Sequence, residues 1–217
     1  QDRLEAIGLN PINNLVDVTN FVMAELAQPM HAFDADKLHD GPISVRNAKP
    51  GEQFAALNDE TYELDETNLV IADPKGAIAL AGVIGGAGSA ISEATTRLVL
   101  ESANFHASNI RKTSAKIRLR TDASMRFEKA QDPVNTVRAL ERAYELLQEV
   151  SPGIKLVGGL ADSYRAPKEK APIALPLAWL ERKLGRRLSP TIVWNYPNIE
   201  RLAARLSKRP GSVPRSR

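Results

Sequence analysis

Apolar positions along this chain fall into short clusters separated by turn signals, with few long periodic tracts. Residues 3–7 read as a helix end closed by Gly8, a C-terminal cap signal. Residues 15–18 (Leu, Val, Asp, Val) read as a short buried strand, and residues 20–27 return to helical spacing. Ile43 and Val45 alternate with polar neighbours, which predicts a strand over residues 42–46. Residues 57–64 predict a tight hairpin around Asn58-Asp59, and residues 69–72 a buried strand stopped by Asp73-Pro74. The small apolar stretch 77–84 ends in a glycine-rich run, and the buried strand 98–100 leads directly into Glu101. Val137, Leu140, Ala143, Tyr144 and Leu147 repeat at helical spacing, making residues 135–150 the plainest helix of the chain. Strands and helices mix without strict alternation, so the expected fold class is α+β, mixed sheets with packed helices.

Pro152-Gly153 and the charged, proline-bounded stretch 166–172 divide the chain. The expected organisation is a main domain over residues 1–167 and a basic helical tail over 168–217. Charge supports the division. The tail holds 12 Lys and Arg against three acids, whereas residues 1–167 hold 17 basic and 23 acidic residues. A mildly acidic main domain argues against a broad phosphate-binding surface there.

Of the 217 residues 43% are hydrophobic, enough for a core, and only 5% are aromatic. The absence of cysteine excludes disulfides and thiolate metal sites, and the three histidines (His31, His39, His106) are too scattered to form a local ligand cluster. No metal or cofactor is expected. The chain has no initiator Met and reads as processed or cut from something longer. It has no secretory signal pattern and no apolar run near the roughly 18–20 residues that span a bilayer, so a cytoplasmic protein without membrane contact is expected.

Candidate chemistry is sparse. The run Gly82-Val-Ile-Gly-Gly-Ala-Gly88 is not a dinucleotide loop, because it leads toward another strand instead of opening a helix. It is either a turn where backbones approach closely or the wall of a substrate pocket. His31, beside Pro29-Met30, is either structural or a site residue. Glu101 closes an apolar strand, where a carboxylate is costly unless paired or functional. Two readings stand: a buried salt bridge to Arg126 or Arg118, or a substrate contact. Arg111, Lys112, Lys116, Arg118 and Arg120 crowd into ten residues, as a solvated face or as a contact for RNA phosphate. No nucleophile elbow, Ser-His-Asp spacing, paired-carboxylate motif or Walker loop is visible.

Several longer strings occur together and in order: Pro11-Ile-Asn-Asn-Leu-Val-Asp-Val-Thr-Asn20, Glu25-Leu-Ala-Gln-Pro-Met-His-Ala-Phe-Asp34, Leu69-Val-Ile-Ala-Asp73, Ala81-Gly-Val-Ile-Gly-Gly86, Leu100-Glu-Ser-Ala-Asn-Phe105 and Arg120-Thr-Asp-Ala-Ser-Met-Arg-Phe-Glu128. Over about residues 3–165 they resemble the B3/B4 domain of the bacterial phenylalanyl-tRNA synthetase beta subunit. The resemblance implies an editing site, where tyrosine wrongly attached to phenylalanine tRNA is hydrolysed off. It places His31 on the family's pocket histidine, following Pro29, and Glu101 on the glutamate that senses the tyrosine hydroxyl. Thr121 and Ala123 fall on the pocket's threonine and alanine, and Gly85-Gly86 on its glycine wall. The implied attacker is an activated water assisted by the tRNA's terminal hydroxyl, and the implied partners are the 3′ end of phenylalanine tRNA and, within a larger chain, a synthetase alpha subunit.

The chain departs from the family pattern at Asn10, where arginine is usual, at Met125, where histidine is usual, and at Lys129-Ala130, where Arg-Gly is usual. A non-catalytic RNA- or protein-binding module, or an inactive fragment of a fused gene, therefore stands as the alternative reading. In the tail, residues 180–204 resemble the closing helices of a polyketide-type acyl carrier domain, while residues 173–189 are similar to the start of the next beta-subunit domain. Motifs for ATP and amino-acid activation are absent from the stretch.

Overall fold

The computed structural model describes residues 2–164, 176–185, 187–189, 191, 192 and 204. Its contacts divide the chain into two compact units, residues 1–158 and 159–217.

The first unit is α+β. Helix α1 (Asp2–Glu5) ends before Gly8, whose φ of 81° is the left-handed turn its position requires. Helix α2 (Asn14–Leu26) begins where Asn13 accepts hydrogen bonds from the Leu15 and Val16 amides, at 3.1 and 3.0 Å. Residues 15–18 are thus the first turns of this helix, and the strand expected there is corrected. The cap satisfies amides that a strand would have paired laterally, and the apolar positions continue as Val18 and Val22, both buried. The helix stops at Ala27, which adopts φ 58°.

Strand β1 (His31–Asp34) follows at once. Strands β2 (Ser44–Asn47), β3 (Glu52–Ala55), β4 (Thr61–Leu64), β5 (Leu69–Ala72), β6 (Ala77–Leu80) and β7 (Ile84–Gly85) come next, then β8 (Leu98–Glu101). They form an antiparallel four-stranded sheet in the order β2-β5-β6-β7 and two antiparallel pairs, β1-β8 and β3-β4. The expected hairpin exists as β3-β4, with Asp59 at φ 62° in its turn. The Asp73-Pro74 stop lies in the β5-β6 connection, where the Asp73 carboxylate accepts from the Lys75 and Gly76 amides. Phe33, Phe54, Leu64, Val70, Leu80, Ile110 and Phe127 form the main core between the sheets and two further helices, α3 (Ala107–Lys116) and α4 (Asp122–Phe127).

Helix α5 (Asn135–Val150) occupies the expected residues. Ala139, Ala143 and Leu147, each four residues apart, form one stripe and pack on Val18 and Val22 of α2 in a second, smaller core. The two alanines let the helices approach closely. Arg142 and Glu25 bridge them at the surface at 2.8 Å, a contribution of at most about 1 kcal/mol.

In the second unit, α6 (Leu177–Leu184) ends at Gly185 with φ 63°. Most of the stretch compared above with a carrier domain lies outside the described residues, as does the linker at 166–172.

Candidate amino-acid pocket

Antiparallel pairing of β1 with β8 puts His31 directly opposite Glu101. Opposed residues of such a pair project from the same face of the ladder, so two titratable side chains 70 positions apart in sequence become neighbours. Both line a pocket of about 100 Å³ together with Pro29, Met30, Gly85 and Ala123. The rest of its lining is apolar, from β6, the glycine turn and Phe127 of α4, which leaves His31 and Glu101 as its only titratable groups among the described residues.

Burial moves these two groups in opposite directions. The Glu101 carboxyl is pushed up to about 7 by desolvation, and the same cause lowers His31 to about 4. Neither shift is offset by an opposite charge. Arg126, one of the two partners considered for Glu101, is held by Asp122 one helical turn away at 2.9 Å. Arg118 is exposed, and among the described residues neither pairs with Glu101. The salt-bridge reading of Glu101 is thereby corrected: the i,i+4 partner on its own helix satisfies Arg126. The His31 ring meets Phe33 edge-on at 4.6 Å, and its Nε2 is buried without a hydrogen-bond partner.

The glycines divide the work. A Cβ on Gly85 would lie 2.4 Å from Cε1 and 2.6 Å from Nε2 of His31, so this glycine makes the space in which the imidazole sits. Gly86 lets the backbone approach β6: its amide donates to the Ile78 carbonyl at 2.8 Å, and a Cβ there would lie 2.6 Å from that oxygen. It stands behind the pocket wall and does not line it. Gly82, with φ 67°, does line the pocket and lies over the edge-on pair Phe105 and Phe127, whose rings are 5.0 Å apart.

Thr121 also acts from behind the lining. Its hydroxyl donates to the Val83 carbonyl at 2.8 Å and accepts from the Ser124 amide at 3.1 Å, capping α4 and tying that helix to the glycine turn. Ala123, one turn into α4, faces the pocket. Nothing in the sequence pattern singles out Met30, Leu80, Ile84 or Phe127 as lining residues, because each also reads as ordinary core. Their apolar character is the signal, and only the fold gives it a location.

The basic segment lies elsewhere. Arg111, Lys112, Lys116, Arg118 and Arg120 are all exposed, but Lys116 is paired with Asp65, and Arg120 with Glu128 at 2.9 Å. Lys112 and Lys116 line an open groove of about 440 Å³ with His106 and Asn109. It shares no residue with the smaller pocket and contains no buried ionisable pair. Among the described residues no group of three or more His, Asp or Glu is placed to hold a metal, and no helix is long and apolar enough to cross a membrane.

Three similarities bear on this geometry. The chain is 72% identical over 193 residues to the phenylalanine–tRNA ligase beta subunit of Solibacter usitatus (strain Ellin6076), a match covering 89% of this chain and 25% of that protein. It is 43% identical over 196 residues to the protein of the same name from Clostridium acetobutylicum, 90% of this chain and 25% of the relative. The Porphyromonas gingivalis protein of that name is 38% identical over 214 residues, 98% of this chain and 26% of its own length. The chain therefore spans about a quarter of the curated relatives it matches. That last similarity runs through the tail, and the carrier-domain resemblance of residues 180–204 gains no support from it. A family model described as the B3/4 domain matches residues 1–152, which include every pocket residue named above, and the chain belongs to that family.

Proposed function

We propose that this chain is the editing module of a phenylalanine–tRNA ligase of the beta type, acting on tyrosine mischarged onto phenylalanine tRNA. The observation that carries the reading is the opposition of His31 and Glu101 in an apolar, glycine-backed pocket, with Glu101 lacking any cationic partner among the described residues. A side-chain pocket with a single acceptor at its wall suits a ring carrying a hydroxyl. Tyrosine donates its phenolic O–H to Glu101, whereas phenylalanine leaves the carboxyl unpaired and desolvated. His31, neutral at physiological pH, supports the ring side of the pocket without placing a charge beside Glu101.

No side chain lining the pocket is an activated nucleophile. The attacker is water at the ester carbonyl, with the tRNA's terminal hydroxyl assisting. The chain's own share of catalysis is to hold the aminoacyl end in place, which orientation effects make sufficient for a large rate gain. Tyrosine and free tRNA are the products. In this reading residues 1–167 are the working domain, phenylalanine tRNA binds weakly through its 3′ end with help from Arg111, Lys112 and Arg118, and the protein acts in the cytoplasm. A synthetase alpha subunit is the partner of the longer assembly.

The deciding experiment is incubation with tyrosine-charged phenylalanine tRNA, following free tyrosine, with phenylalanine-charged tRNA as the control. Release from the first and not the second is the expected result, and equal or no release from both rejects the reading. Exposed Asn10 and half-buried Met125 favour a second reading, a B3/4 module that binds RNA without hydrolysis. That outcome would show as tRNA retention without tyrosine release.

A further inference from the structure

The ladder that aligns His31 with Glu101 ends at that pair. Its hydrogen-bonding phase is set at the other end, where the Ala35 amide donates to the Arg97 carbonyl at 3.0 Å. Hydrogen-bonded pairs in an antiparallel ladder recur every second residue. The register therefore makes 33 with 99, 31 with 101 and, beyond the strands, 29 with 103 the bonded pairs. That last rung requires an N–H on residue 29, which is proline and has none.

The side chain of Gln28 fills the gap. Its Nε2 donates to the Ala103 carbonyl at 2.8 Å and to the Pro29 carbonyl at 3.0 Å, the two acceptors a backbone rung would have used. Gln28 is fully buried, yet its Oε1 has no hydrogen-bond partner. A methionine would fill the same volume without the stranded Oε1, so simple packing does not account for an amide here.

We infer that Gln28 is a positioning residue of the pocket: its amide replaces the rung that Pro29 forbids and holds β1 and β8 at ladder spacing beside His31 and Glu101. Without it the open end of a two-stranded ladder splays, water reaches Glu101, and the acceptor loses both its position and its desolvation. The side chain needs no contact with substrate to do this.

The inference rests on the editing reading for its activity arm alone. In the full chain, Gln28→Met removes both donors at constant volume. The midpoint of Glu101, followed by NMR of its labelled carboxyl carbon, is expected to fall from about 7 toward the ordinary 4.5. Preference for tyrosyl- over phenylalanyl-tRNA is expected to fall about tenfold. Adding Pro29→Ala to Gln28→Met returns a backbone N–H opposite Ala103 and should bring the midpoint back up, a rescue that lost packing would not show. An unchanged midpoint in Gln28→Met, or no recovery in the double variant, overturns the inference. Should Gln28→Met not fold, slow solvent exchange of the Gln28 side-chain amide protons in the wild type supports the rung, and exchange as fast as in an exposed glutamine overturns it. Wild-type protein that releases no tyrosine rejects the editing reading, while the titration and exchange results still decide the role of Gln28.

Discussion

His31 and Glu101 face each other across one rung of a two-stranded ladder, and burial drives both toward their uncharged forms. The histidine is lowered to about 4 and the glutamate raised to about 7. Between those values the pocket carries no net charge of its own, so what it offers a ligand is one polar acceptor in an apolar wall.

Glu101→Ala separates recognition from stability. No cation pairs with Glu101 among the described residues, so none is stranded by its removal. The melting midpoint is expected to move by less than about 5 °C. Discrimination between tyrosyl- and phenylalanyl-tRNA should fall by the equivalent of about 1–3 kcal/mol, read as the ratio of deacylation rates. A loss of about 3–5 kcal/mol in stability would instead indicate a broken buried ion pair.

The two shifts have opposite consequences for stability against pH. From about 4.5 to about 7 the folded protein keeps a proton on Glu101 that the unfolded chain releases, so stability falls as pH rises through that window. From about 6.5 down to about 4 the unfolded chain binds a proton at His31 that the folded protein refuses, so stability falls as pH drops. Wild-type protein should therefore show a shallow profile. Thermal melts from pH 4 to 8 should show Glu101→Gln gaining stability up to about 6.5, and His31→Phe losing it up to about 7.

Gly85→Ala drives a methyl group into the His31 ring, within 2.6 Å of Nε2. The expected cost is about 1–3 kcal/mol with displacement of the imidazole, visible as a changed His31 ring resonance and slower tyrosine release. Gly88→Ala, three residues on in open space, is the matched control and should leave both unchanged.

RNA affinity should be weak and shallow in salt. Two of the five clustered cations are already paired with acids, which leaves Arg111, Lys112 and Arg118 for phosphate. Each phosphate neutralised contributes about −0.7 to −0.9 to the slope of log affinity against log salt. Replacing the three by alanine should flatten the slope by about 2–3. An unchanged slope places the basic contact elsewhere.

Truncation after residue 165 should leave the melting midpoint of the main domain within about 5 °C of the full chain. A larger fall assigns the tail a share of the core.

Local pattern made several elements legible. Helix α5 has an apolar stripe at four-residue spacing, β5 and β8 are short apolar runs, and the Asp59 turn announces its hairpin. Residues 15–18 read as a strand because Leu15, Val16 and Val18 are compatible with either period, and Asn13, the cap that decides for a helix, lies just outside the run. Helix α3 is masked in the sequence by its charges: the basic run reads as a surface, while Ile110 and Thr113 turn inward from the same helix. For the pocket, composition could flag Glu101 as anomalous but could not choose its partner. That choice depended on Arg126 finding Asp122 locally and on β1 pairing with a strand 70 residues away, a register no local pattern encodes.

The hydroxyl of Thr121 binds α4 and the Val83 carbonyl at once, and this makes one side of the pocket stiff. Displacing either the helix or the glycine turn alone costs that hydrogen bond, about 1 kcal/mol. A cavity of about 150 Å³ accommodates benzene, more than the 100 Å³ found here. Leu57, at the tip of the β3-β4 hairpin and 45% exposed, leans on Gly85 from outside the lining and donates its amide to the Gly85 carbonyl at 3.1 Å, so the hairpin tip is fastened to the same turn. Helix, glycine turn and hairpin tip thus form one hydrogen-bonded bank, and widening the pocket on that side breaks at least one of its links.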